Sequence, residues 1–144
     1  MYLGTMFRRP SLIACSIALA VGCAKDKQTG VPPVSLDVTI NTNLPEYIDL
    51  QAPGGWVYMT GGSMGLIVYR KNQDEFVALD RHCPYQPENL CKVFVQHDNI
   101  TARDTVCCHS GFLITDGSVF QGPSSFGLKQ YHTLFNGSTL RIYN

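Results

Sequence analysis

At 144 residues, 44% of them hydrophobic and 10% aromatic, the chain has material for one core-bearing domain and a short appendage. Eleven basic and eleven acidic residues cancel to a formal net charge of zero. That balance excludes a broadly basic nucleic-acid surface and an acidic solvating tail.

Arg8-Arg9 precede an apolar run from Ser11 to Gly22, and Cys23 follows it. A positive start, a short hydrophobic core and small residues before a break predict a secretory signal over residues 1–22. The run of about 12 residues falls short of the ~20 a membrane span needs. The cysteine directly after Gly22 makes the segment resemble a bacterial lipoprotein signal, which implies acylation of Cys23 and a membrane partner reached through that lipid. Residues 23–33 carry Lys, Asp, Gln, Thr, Gly and two prolines, and are expected to be a flexible tether. The expected location is the bacterial cell envelope, where thiols outside a metal site tend to become disulfides.

From residue 34 to 144 the pattern is that of strands and turns. Val34 to Ile40 alternates apolar and polar residues, a half-buried strand. Asn41 to Pro53 is expected to be irregular, pinned by Leu44, Tyr47, Ile48 and Leu50. Trp56 to Thr60, Gly65 to Arg70 and Glu75 to Leu79 form an antiparallel meander that ends at Asp80. Lys92 to Gln96 and Ile100 to Val106 are two further strands. Phe112 to Thr115 and Ser118 to Phe120 flank Asp116-Gly117, and Gln130 to Phe135 and Thr139 to Tyr143 flank Asn136-Gly137. Such dipeptides are hairpin signals, expected to place both central residues at positive φ. No segment after residue 33 keeps a helical period, so the fold class is all-β.

Between these strands lie two short loops rich in soft ligands. The first reads Asp-Arg-His82-Cys83-Pro-Tyr85 and continues to Cys91; the second reads Val106-Cys107-Cys108-His109. Thiolate and imidazole side by side suit an iron–sulfur cluster or zinc. Asp80, Glu88 and Asp104 read as solvated loop carboxylates, and His97 and His132 as surface residues.

With the two loops, the Asp-Gly hairpin, Gly122-Pro123-Ser124 and the closing Asn-Gly hairpin in this order, residues 34–144 resemble a Rieske domain. The resemblance implies a small antiparallel β-sandwich with a projecting two-loop subdomain and a proline loop over it. It also implies a 2Fe–2S cluster and one-electron transfer to an unidentified redox or protein partner, a component rather than a stand-alone catalyst. On its ligand pattern, Cys83 and His109 fall on ligand positions, while Tyr85 stands where histidine is expected and Val106 where cysteine is expected. A shifted set, Cys83, Cys107, His109 and His82, restores two thiolates and two imidazoles, although adjacent His82 and Cys83 point apart. By the same resemblance Cys108 and Cys91 match the half-cystines of a disulfide between the loops.

Two rival readings use the same residues. In a cluster-free domain Cys91–Cys108 would staple the loops and Cys83–Cys107 could form a second bridge, leaving a binding or interaction module, although four cysteines allow three pairings and the sequence does not choose among them. Alternatively Cys83, Cys91, Cys107 or Cys108, and His109 would hold a structural zinc.

Overall fold

The computed structural model describes Met1 and residues 30–144. The expected signal, the lipidation site Cys23 and most of the expected tether lie outside the described residues; Val31, near the tether's expected end, is already buried. Among the described residues no helix is long and apolar enough to cross a membrane.

The domain is all-β, as its patterning requires. Among the described residues ten strands run β1 (Asp37–Asn41), β2 (Trp56–Met59), β3 (Leu66–Arg70), β4 (Phe76–Asp80), β5 (Val93–Val95), β6 (Thr101–Asp104), β7 (Gly111–Leu113), β8 (Val119–Gln121), β9 (Gln130–Phe135) and β10 (Thr139–Tyr143). They form two antiparallel sheets, one of six strands in the order β1-β10-β9-β4-β3-β2 and one of four in the order β5-β6-β7-β8.

β3 and β4 are the centre of the molecule because both of their faces are buried. Leu66 and Val68 of β3 and Phe76 and Ala78 of β4 point into a first core with Ile40, Leu50, Tyr131, Leu140 and Ile142. The intervening Ile67, Val77 and Leu79 point the other way, into a second core with Val93, Ala102, Phe112 and Ile114. Successive strand residues face opposite sides, so a continuous apolar run such as Leu-Ile-Val serves two cores at once. The second core joins the large sheet to the small one. Tyr58 adds a polar link between them, its hydroxyl accepting the Val95 N–H at 2.8 Å.

Two local expectations are corrected. Residues 41–53 contain a 3₁₀ segment, Pro45–Gln51, of which only Leu50 is buried; Leu44 and Ile48 face solvent. Leu50 and the partly buried Tyr47 do pin the segment to the first core, and Arg70 adds to them, its Nη1 donating to the carbonyls of Leu50 (2.9 Å) and Gln51 (3.0 Å). In the two hairpin turns only Gly117 (φ 75°) and Gly137 (φ 101°) are left-handed. Asp116 and Asn136 instead accept N–H bonds from residues two or three places on, turning the chain by side-chain capping.

Candidate functional site

The two ligand-bearing loops leave the ends of β4 and β6, and each strand ends in a fully buried aspartate. Asp80 closes β4. Its Oδ1 accepts the N–H groups of Met64 (3.1 Å) and His82 (2.9 Å), and its Oδ2 accepts the Ser63 N–H (2.6 Å) and the Tyr131 hydroxyl (2.8 Å). Gly62 allows this approach: a Cβ there would lie 2.5 Å from Asp80 Oδ2. Burial, and then the bond to the Asp80 carboxylate, push the Tyr131 phenol well above its ordinary range.

Asp104 does the same for the second loop. Its Oδ1 accepts the N–H groups of Val106 (3.0 Å) and Cys107 (2.9 Å), and its Oδ2 that of Cys108 (3.2 Å). Burial pushes this carboxyl up, but the N–H bonds from Cys107 and Val106 and the thiol of Cys108 outweigh it and hold the group below the usual carboxylate range. Full burial of both aspartates corrects the expectation of solvated loop carboxylates. For Asp80 the sequence signal is its place at the last residue of an apolar strand, where an Asx turn takes aspartate or asparagine; β6, Thr-Ala-Arg-Asp, carries no such signal for Asp104.

Asp80 also orients His82. The imidazole is fully buried, its Nε2–H donating to the Pro87 carbonyl (2.8 Å) and its Nδ1 paired with the Ser63 hydroxyl (2.8 Å). Both ring nitrogens are therefore engaged, and His82 is a structural post within the first loop rather than a free ligand. Cys83 turns the opposite way into the second core, and its N–H donates to the Cys91 carbonyl (2.8 Å).

Among the described residues the cysteines sort into a bridged pair and a free pair. Cys91 and Cys107 form a disulfide with a Cα separation of 6.3 Å, tying the end of the first loop to the tip of the second. This corrects both expected pairings, Cys91–Cys108 and Cys83–Cys107. The cause is the Asp104 turn: Cys107 stands at the exposed tip, whereas Cys108 folds back beneath it. Cys83 and Cys108 are left as thiols with their sulfurs 3.4 Å apart. Cys108 Sγ lies 3.2 Å from Asp104 Oδ2 and 3.0 Å from Ser110 Oγ. Burial, only partly offset by the Tyr85 N–H, pushes the Cys83 thiol up to about 12.

The proline loop reaches the same place. Gly122-Pro123 is a cis peptide, and the following Ser124 donates its N–H to Ser110 Oγ (2.9 Å). Ser110, Cys108 and Ser124 thus join the second loop and the proline loop at the free-thiol pair.

Tested against a 2Fe–2S cluster, this donor set does not fit. Two thiolates and two imidazoles are required. Cys107 is consumed in the disulfide, His82 has no free nitrogen, Tyr85 packs on the second core, and Val106 is 76% exposed. His109 is exposed in a left-handed conformation (φ 59°). Among the described residues, the groups of three or more potential ligands whose donor atoms converge are Cys83/Asp104/Cys108 and Cys91/Asp104/Cys107, and neither contains a histidine. The expected zinc set of Cys83, Cys91, Cys107 or Cys108, and His109 does not fit either, because Cys91 is bridged and His109 belongs to neither group.

No protein-family model matches the sequence, and no curated protein matches it. Among solved structures, a chain described as a candidate small subunit of an NADH-dependent nitrite reductase from Mycobacterium tuberculosis is similar. It is 11% identical with a TM-score of 0.44, and the match covers 78% of this chain and 97% of that one. Likeness at this level says nothing about the site.

Proposed function

We propose that the chain is a cluster-free, disulfide-stapled interaction module. In this reading it keeps the two-loop plan it shares with Rieske domains and is carried on the bacterial envelope by a lipid on Cys23. One observation carries the reading: the second-loop thiol that a cluster needs, Cys107, is joined to Cys91. The loops nevertheless meet, and the Gly122-Pro123-Ser124 loop touches them, which is the arrangement the resemblance implies. In this reading a disulfide from the end of the first loop to the tip of the second takes the place of the cluster as the element that holds them together. An electron carrier would require Cys107 reduced and an imidazole brought inward, and the donor set offers neither.

The surface available to a protein partner is the loop end itself. Leu90 and Val106, beside the two half-cystines, are 60% and 76% exposed, and Phe126, two residues beyond Ser124, is 49% exposed. Large apolar side chains on stapled loop tips suit contact with another macromolecule.

The test is chemical analysis of the purified full-length protein. The expected preparation is colourless, free of iron and acid-labile sulfide, with a Cys91–Cys107 cross-linked peptide. Two irons per chain with red-brown absorption would overturn the reading. Palmitate labelling that persists after Cys23→Ala would overturn the anchor.

A further inference from the structure

The free-thiol pair is placed as a site, and nothing in the stapled-module reading uses it. We infer that Cys83, Cys108 and Asp104 bind one soft divalent cation of the zinc class, with the fourth coordination position left open.

The three donor atoms lie within 4.8 Å of one another, and two of their three separations are close to those of a tetrahedral site. Zinc bonded to sulfur at about 2.3 Å and to oxygen at about 2.0 Å sets a sulfur–sulfur edge of about 3.8 Å and a sulfur–oxygen edge of about 3.5 Å. The observed separations are 3.4 Å between Cys83 Sγ and Cys108 Sγ and 3.2 Å between Cys108 Sγ and Asp104 Oδ2. Parting the two loops by about 0.4 Å restores the first edge, and a side-chain adjustment of about 0.3 Å within the second loop restores the other. Asp104 is held for the task from behind: three backbone N–H groups fix its carboxylate, while Oδ2 still faces the Cys108 sulfur.

Charge favours a cation in the same place. Asp104 is fully buried and, among the described residues, has no salt-bridge partner. Two thiols and a carboxylate in an apolar surround cannot all ionise unless positive charge is supplied. A dication supplies it, and binding releases the thiol protons.

The open position follows from the donors around the trio among the described residues. His82 has both nitrogens engaged, His109 belongs to neither convergent group, and Cys91 and Cys107 are bridged to each other. Three protein ligands with a free fourth position are the pattern of zinc sites that bind an exogenous ligand, whereas structural sites are closed by four. Cys108 is partly exposed, which gives access from solvent.

The inference goes beyond the stapled-module reading and fails separately from it: that reading depends on iron and the Cys91–Cys107 bridge, this one on the free thiols. The test uses the full chain in a Cys15→Ser/Cys23→Ser background, purified anaerobically without reductant and stripped with chelator. Cobalt(II) is titrated as a spectroscopic probe, and zinc is titrated in competition with a chromophoric chelator. The expected result is one cobalt per chain, with tetrahedral visible bands and thiolate-to-cobalt charge transfer, displaced by zinc. Cys83→Ser and Cys108→Ser should each roughly halve the charge-transfer intensity. Each should also weaken zinc by more than the about 10–100-fold that loss of an outer hydrogen-bond partner costs. Asp104→Asn should keep the charge transfer and weaken zinc; if it does not fold, the two serine variants decide. Absence of the charge-transfer band overturns the inference, as does binding unchanged in both serine variants. A native Cys83–Cys108 disulfide found by peptide mapping overturns it too.

Discussion

Removing the loop staple by Cys91→Val/Cys107→Ser is expected to destabilise the domain by about 3 kcal/mol. The half-cystines are 16 residues apart, and closing a loop of that length restricts the unfolded chain by about 10 cal/mol/K, or about 3 kcal/mol at 25 °C. The substitutions suit the two environments. Valine refills the buried volume at Cys91 beside the second core, and serine faces water at the exposed position 107. The change therefore removes the cross-link without opening a cavity. A folded region of roughly 110 residues unfolds with an entropy of about 0.23 kcal/mol/K, so the melting temperature should fall by about 13 °C. Urea unfolding of the oxidised wild type, the reduced wild type and the variant measures it. The oxidised form alone should lose stability on adding reductant, and the variant should not respond. A difference under about 1 kcal/mol would refute the entropic argument, and a Cys91–Cys108 peptide in the wild type would refute the pairing.

Asp80→Asn should cost about 2–4 kcal/mol by urea titration, since its new NH₂ must face either two backbone N–H groups or an N–H and the Tyr131 hydroxyl. Tyr131→Phe should cost about 1–2 kcal/mol and leave the metal content unchanged; equal costs would mean that Asp80 is not the hub described. In metal-free protein, Asp104 has a folded pKa below its ordinary 3.8. The unfolded state then binds more protons, so the stabilisation is complete above 3.8 and is lost as pH falls through the folded value. Stability profiles should show a shallower acid limb for Asp104→Asn, and parallel profiles would contradict this. Native alkylation of the metal-free protein at pH 8 should modify Cys108 first and Cys83 only after unfolding. With its thiol near 12, Cys83 has a thiolate fraction of about one in 10⁴ at that pH, and it is fully buried. Peptide mass spectrometry that found equal labelling would refute the difference.

Much of this molecule is written along the chain. The alternation in β1, the apolar runs of β3 and β4 and the last two strands follow from local side-chain patterning, because a strand's burial repeats every two residues. The meander of β2 to β4 and the positions of both cysteine loops follow from the turn residues between them. Tyr85 and Val106 already showed, without any coordinates, that two of the expected cluster ligands were missing.

Which cysteine meets which belongs to the tertiary structure. Cys107 and Cys108 are neighbours in sequence and equivalent by composition, yet one is bridged at the tip and the other is a thiol beneath it. The difference is made by Asp104, whose turn carries position 107 outward and position 108 inward. The same holds for His82, a ligand candidate on paper and a buried post in the fold. Patterning along a strand is a local property, but a donor's availability depends on what the other loop places against it, and no spacing within one loop encodes that.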